Sequence, residues 1–291
     1  MYQRKPEWFR VSYDPKAVAE ILEMMDRLSL NTVCTEAHCP NIGECFKKRS
    51  ATFMILGKNC TRNCRFCIVS KGAQTPPDPQ EPQNVAQAAK EMGLRHVVIT
   101  SVTRDDLPDG GAAHFAATVR AVRQALPQAS IEVLIPDFGG NTQSLDQVIA
   151  AAPDVYGHNL ETVPSLYQAV RPEADYQRSL AVLRYMKAHS TGLVKTGVMV
   201  GLGETEEELK ALMGDLTSFG CDIMTIGQYL RPSKEHIEIK EYVTPETFAH
   251  YKEIGETMGI RFIASGPLVR SSYKAAEAVD AIRGGTTQCC T

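Results

Sequence analysis

Apolar residues recur at helical spacing early in the chain, where Val18, Ile21, Leu22, Met25, Leu28 and Leu30 mark residues 15–30 as an amphipathic helix packed on the main domain. Residues 52–57, TFMILG, have the β-branched and aromatic content of a buried strand. A proline-rich connector follows at 76–82, PPDPQEP, which cannot carry a strand ladder. Beyond it the pattern alternates. Strands are predicted at 96–102, 131–135, 155–159, 193–200 and 222–229. Helices are predicted at 84–92 behind an Asn84 cap, 111–126, 143–151, 176–189, 204–219 and 245–258, with a short extended piece at 261–264.

Six strands spaced by roughly 30 residues imply right-handed βαβ units in a parallel sheet. Six is short of eight, so the predicted fold is α/β: an open or partial (β/α)6 TIM-type barrel. The pattern alone also admits a doubly wound sheet. Such barrels place their chemistry at the C-terminal ends of the strands. The chain divides into an N-terminal extension (1–50), a barrel (51–265) and a polar C-terminal extension (266–291).

Composition narrows the function classes. At 291 residues, 43% hydrophobic and 22% charged, the chain has ordinary globular usage and enough length for a large core. A net charge of −3 leaves no broad basic footprint for nucleic acid. No apolar run approaches the roughly 20 residues that span a bilayer, and no secretory apolar segment opens the chain. Of nine cysteines, six fall between Cys34 and Cys67, which argues for metal ligation in a reducing compartment, by default the cytoplasm, rather than disulfides.

Those six form two trios. Cys34-TEAH-Cys39-PNIGE-Cys45 has Pro40 and Gly43 to keep its backbone loop-like, so that three thiols can converge. Cys60-TRN-Cys64-RF-Cys67 is spaced too tightly for a helix to present all three inward, but suits a loop around a compact inorganic core. Lys58, Arg62 and Arg65 are expected to lower the pKa of these thiols. Three cysteines in this spacing can hold three irons of a four-iron cluster and leave the fourth open to a small molecule. A structural zinc site completed by His38 or by the first trio satisfies the same spacing.

The second trio, with Phe66 just before its last cysteine, resembles the radical S-adenosylmethionine superfamily. The two trios in this order, with Arg270-Ser271-Ser272-Tyr273 near the C-terminus, resemble the lipoyl synthase family over essentially the whole chain. Further resemblance lies in TSVTRDDLPDGGAAHF (100–115), NLETV (159–163), VRPEADYQRSL (170–180), VKTGVMVGLGET (194–205) and GQYLRPS (227–233).

That resemblance implies two [4Fe-4S] clusters and S-adenosyl-L-methionine as cofactors. It assigns Cys60, Cys64 and Cys67 to the cluster that binds S-adenosylmethionine. Cys34, Cys39, Cys45 and Ser272 fall to an auxiliary cluster that donates sulfur. A serine alkoxide on iron is a harder, more labile ligand than a thiolate, which suits a cluster that is dismantled. The implied reaction inserts two sulfur atoms at C6 and C8 of an octanoyl chain on a lysine of a lipoyl-carrier protein, either a 2-oxoacid dehydrogenase E2 domain or glycine cleavage H protein. No side-chain base can deprotonate such carbons, hence a radical generator. An electron donor such as ferredoxin or flavodoxin and a cluster-repair protein are further implied partners. Biotin synthase and methylthiotransferases share the chemistry, and the RSSY segment separates the chain from them.

Polar residues just past the predicted strands are candidates for the rest of the site. Asn159 and Glu161 are placed to hold ribose hydroxyls, Arg171 and Lys195 to meet the methionine carboxylate, and Thr100, Ser101 and Asp105 follow the second barrel strand. Asn159, Glu161 and Arg171 are retained as cofactor-binding candidates. The paired glycines at 110–111 and 139–140 and those at 201 and 203 read as turns, Cys221 as core, and Cys289 and Cys290 are given no role.

Overall fold

The computed structural model describes residues 5–284 apart from 12, 49 and 274. Helix α1 (Pro15–Arg27) begins behind Asp14, whose side chain accepts the Ala17 N–H, and buries Val18, Ile21 and Met25. A two-residue strand, β1 (Asn31–Thr32), leads into two short helices, α2 (Val33–Glu36) and α3 (Ile42–Lys47). The first cysteine trio was expected in loop. Cys34 and Cys45 instead sit on single-turn helices, with Cys39 on the link between them.

The barrel wall then alternates: β2 (Thr52–Ile55), α4 (Glu81–Glu91), β3 (His96–Ser101), α5 (Ala112–Ala125), β4 (Ser130–Leu134), α6 (Thr142–Ala150) and β5 (Val155–Gly157). After the one-turn α7 (Tyr167–Val170) come α8 (Tyr176–His189), β6 (Leu193–Val200), α9 (Glu206–Thr217), β7 (Ile223–Gln228), α10 (Pro245–Thr257), β8 (Phe262–Gly266) and α11 (Ala275–Gly284). Strand order is sequential from β1 to β8, with β2 to β8 parallel and β1 antiparallel to β2. Among the described residues the edge strands β1 and β8 do not pair with each other, so the sheet is an open barrel.

Two readings are corrected. The extended piece at 261–264 is a full seventh parallel strand, in register with β7 from Ile223↔Phe262 onward. The segment read as a polar tail contains α11, whose Ala278 and Val279 pack with Val155 of β5 and Ile223 of β7. Cys289 and Cys290 lie outside the described residues. The main apolar core runs unbroken from Val18 of α1 to Ile263 of β8, so the N-terminal extension shares it. Among the described residues, no helix is long and apolar enough to cross a membrane.

Candidate active site

The second trio leaves the C-terminal end of β2 on a loop pinned from several sides. The Cys60 N–H donates to Ser70 O (2.8 Å), the Thr61 N–H to Thr103 O (3.0 Å) and the Arg65 N–H to Val170 O (2.9 Å). Inside the loop, Arg62 is only 8% exposed. Its guanidinium donates twice to Asp105 (2.8 Å each) and once to Asp137 (2.7 Å). Arg178 donates to the other oxygen of Asp137 (2.7 Å).

The Arg62 guanidinium therefore anchors the loop, and Arg62 meets a thiol only through its backbone N–H, which donates to Cys60 Sγ (3.4 Å). Burial raises the Cys64 thiol, against the field of Arg171, and pushes Cys67 up to about 11, against the Val69 N–H and Lys71. The cations acting on these two thiols come from Arg171 and Lys71, not from Lys58, Arg62 or Arg65. Ligation accordingly displaces protons from buried thiols.

Cys60, Cys64 and Cys67 line a cavity of about 480 Å³ at the C-terminal ends of the strands, together with Asn159, Glu161 and Arg171. These three are tied to each other. Asn159 Nδ2 donates to Glu161 Oε1 (3.1 Å), and Arg171 Nη1 donates to the carbonyls of Asn159 (2.9 Å) and Leu160 (3.2 Å). Glu161 is held in the left-handed region, φ +68°, by a short bridge to β6 in which its N–H meets Gly197 O (2.9 Å) and its carbonyl accepts from Met199 (2.8 Å). Burial raises the Glu161 carboxyl, with Arg171 and Asn159 opposing. Arg171 lines the cavity, its guanidinium also acts on Cys64, and its Nε is buried without a hydrogen-bond partner.

Lys195 does not belong to this group. It sits near the start of β6 and pairs with Glu132 (2.7 Å), with His96 beyond it, at the opposite end of the barrel. Thr100 donates to Leu134 O (2.9 Å), Asp105 is taken up by Arg62, and Ser101 Oγ is buried beside the cavity with no partner.

The first trio lies across the mouth. The Cys39 N–H donates to Cys34 O (3.0 Å) and the Cys45 N–H to Asn41 O (2.9 Å). Burial raises Cys39, and burial followed by the fields of Cys34 and Cys39 pushes Cys45 up to about 12. The C-terminal extension reaches this trio. Asn41 Nδ2 donates to Leu268 O (2.7 Å), and the Tyr273 hydroxyl donates to Glu44 (3.2 Å). Arg270 lowers Cys39 from the same side. The cavity lining includes Val33, His38, Pro40 and Ser271, but not Cys34, Cys39, Cys45 or Ser272. Among the described residues, no three His, Cys, Asp or Glu side chains converge as for a single metal ion.

His236, which forms no metal-ligand spacing in the sequence, contacts the cysteine loop instead. Its Nε2 lies 3.2 Å from Cys67 O and its Nδ1 2.8 Å from Ser233 Oγ, so the GQYLRPS segment leads into a brace for the cysteine loop.

Gly227 sets how closely the C-terminal strap approaches. A Cβ there would lie 2.2 Å from Val269 O, a backbone atom that cannot rotate away. Gly227→Ala is expected to displace the strap at about 1–3 kcal/mol of stability. Chemical denaturation measures that cost, and limited proteolysis near Val269 reports the displacement.

A profile described as the Radical SAM superfamily matches residues 54–216. That span takes in the cysteine loop and most of the barrel but neither extension. Lipoyl synthase of Caldanaerobacter subterraneus subsp. tengcongensis is 56% identical over 98% of this chain and 100% of its own length. The chain belongs to the lipoyl synthase family. The family enzymes of Rubrobacter xylanophilus and Geobacter sulfurreducens are each 55% identical, over 97% and 94% of this chain and 88% and 90% of their own. Lipoyl synthase similarity thus runs through the first trio and the strap, which the superfamily profile omits. Solved structures share the fold at low identity. Methylornithine synthase aligns at TM-score 0.54 and 13% identity over 88% of this chain and 86% of its own. Streptococcus suis SuiB bound to S-adenosylmethionine aligns at 0.58 and 13%, over 86% and 61%.

Proposed function

We infer that the chain is a lipoyl synthase, inserting two sulfur atoms at C6 and C8 of an octanoyl chain on a carrier-protein lysine. The observation that carries this is the meeting of the first trio and the C-terminal strap at the mouth that Cys60, Cys64 and Cys67 line. The donor chemistry fits the cofactors: Cys60, Cys64 and Cys67, with Arg171 beside them, line a cavity within the usual size of small-molecule sites, and three further thiols lie on the N-terminal extension that meets the C-terminal extension through Asn41 and Glu44. Cys60, Cys64 and Cys67 would hold one [4Fe-4S] cluster with S-adenosylmethionine; Cys34, Cys39, Cys45 and Ser272 would hold the other. When bound, these groups supply a carbon-centred radical that can take hydrogen from an unactivated carbon, and the sulfide to replace it.

The chain's own residues bind and orient. Asn159 and Glu161 offer paired polar groups for the ribose, and Arg171 offers its Nε to the methionine carboxylate. Met54, Val69, Val102, Leu134 and Val198 give the cavity an apolar wall for an eight-carbon chain. The two extensions keep water from the reacting carbons. The divisions 1–50, 51–265 and 266–291 are functional rather than folding units, because the core crosses the first boundary. A 2-oxoacid dehydrogenase E2 domain or glycine cleavage H protein would present the octanoyl-lysine. A ferredoxin or flavodoxin would supply electrons and a repair protein would rebuild the spent cluster. The reducing cytoplasm suits both clusters.

An anaerobic assay with an octanoylated carrier-protein peptide, S-adenosylmethionine and a strong reductant tests the reaction. The expected product carries two added sulfurs and two fewer hydrogens; an unchanged peptide with clusters intact would count against it. Glu161→Gln is expected to weaken S-adenosylmethionine binding roughly tenfold, the size of one charge-assisted hydrogen bond. Equilibrium dialysis checks this.

A further inference from the structure

The cysteine loop begins at a strained turn. Leu56, directly after β2, has φ +69°, followed by Gly57 at +87°. A left-handed leucine is uncommon and costs free energy, so the surroundings must impose it. Both backbone polar groups of Leu56 are gripped by buried charged side chains. Its N–H donates to Glu81 Oε2 (2.8 Å), and its carbonyl accepts from Arg104 Nη1 (3.2 Å). Glu81 is 4% exposed and Arg104 2%.

Each grip is itself held. His114 Nε2 donates to the same Glu81 oxygen (2.7 Å), and Asp106 takes two hydrogen bonds from Arg104 (2.8 Å each). The Leu56 side chain is 2% exposed and lies against Gly111, where an added Cβ would sit 2.3 Å from Leu56 Cδ1. Arg104, Asp106, Gly111 and His114 all fall within TSVTRDDLPDGGAAHF, and Glu81 within the proline-rich connector. Leu56 lies four positions before Cys60, so its φ sets the direction in which the chain leaves β2 toward the cysteine loop.

We propose that Glu81 and Arg104 are positioning residues for the radical-generating site: together they lock Leu56 in its left-handed conformation and so set the course of the Cys60–Cys67 loop. Neither residue lines the cavity. The inference rests on the reading that this loop holds the cluster that binds S-adenosylmethionine.

The mechanism separates reach from charge at position 81. Glu81→Gln keeps an oxygen at the same reach and loses the charge, while Glu81→Asp keeps the charge and withdraws the oxygen by one methylene. The test uses the full chain with Cys34, Cys39 and Cys45 changed to Ala, so that only one cluster is counted. After anaerobic reconstitution, iron per chain and the electron paramagnetic resonance change on adding S-adenosylmethionine are measured. Glu81→Gln is expected to match its parent, whereas Glu81→Asp loses at least about half its iron or binds S-adenosylmethionine roughly tenfold more weakly. An ion pair to His114 serving stability alone predicts the reverse order.

Parent-like behaviour of both variants, or a larger loss in Glu81→Gln, overturns the proposal. Circular dichroism checks folding. Should Glu81→Asp fail to fold, Arg104→Lys decides, because one ammonium cannot hold Asp106 and reach Leu56 O together. The same loss supports the lock and parent-like iron overturns it. Cys60→Ala in the same background distinguishes the two levels: retained iron there defeats the reading of the cysteine loop itself.

Discussion

Changing Cys34, Cys39 and Cys45 to Ala is expected to abolish lipoyl formation while S-adenosylmethionine is still cleaved. The two trios are anchored by different groups: Arg62 and its carboxylates hold Cys60 to Cys67 from the barrel side, and the Asn41–Leu268 and Glu44–Tyr273 contacts hold the segment of the first trio. Iron should fall from about eight to about four per chain, the content of one four-iron cluster. Product mass and 5'-deoxyadenosine release, measured on one reaction mixture, check both halves. Equal loss of both would show that the two sites are not separable. Ser272→Ala is expected to act in the same direction with a smaller effect, slowing sulfur insertion.

The second large effect is expected from Arg62→Leu. Asp137 is 1% exposed and would lose one of the two arginines, Arg62 and Arg178, that pair with it among the described residues. Leaving a buried carboxylate short of a cation costs on the order of 3 kcal/mol, and this change also frees the cysteine loop. Thermal unfolding of the apoprotein measures the first effect and iron retention the second.

The pH dependence has a definite sign. Burial alone would raise the Asp137 carboxyl, but its hydrogen bond and ion pair with Arg62, with the Gly139 N–H, hold it well below the usual carboxylate range. A lowered folded-state pKa contributes stability in full above the unfolded value near 4 and loses it as pH falls below that. Arg62→Leu should therefore destabilise most at neutral pH and flatten the acid limb of the stability profile. An unchanged acid limb would remove Asp137 from the account.

Local chemistry was legible in the chain, and long-range pairing was not. Spacing alone singled out the six cysteines, and period and turn residues placed six of the seven parallel strands. The seventh, Phe262–Gly266, ends Ala-Ser-Gly and has little β-branched content, so only its pairing with β7 defines it. Helix α11 did carry a signal in the helical spacing of Ala275, Ala278 and Val279, but the polar residues around it obscured the stripe. Lys195 shows the limit of reading strand ends from sequence. It is the third residue of an eight-residue strand, and register places it at the far end of the barrel, against Glu132. Arg62 looked like an electrostatic neighbour of the thiols. Its true partners lie 43 and 75 residues away. No local window contains such a pairing.

The Glu44–Tyr273 contact joins residues 229 apart, and this separation bears on when the protein can mature. At roughly 5–20 residues per second of synthesis, about 10 to 50 s pass between the emergence of the two halves. The Cys60 loop and its barrel are made in that interval, whereas the first trio must wait for the strap. On the proposed assignment the auxiliary cluster's fourth ligand, Ser272, is made last, so nascent chains stalled before residue 272 would hold only three of its four ligands.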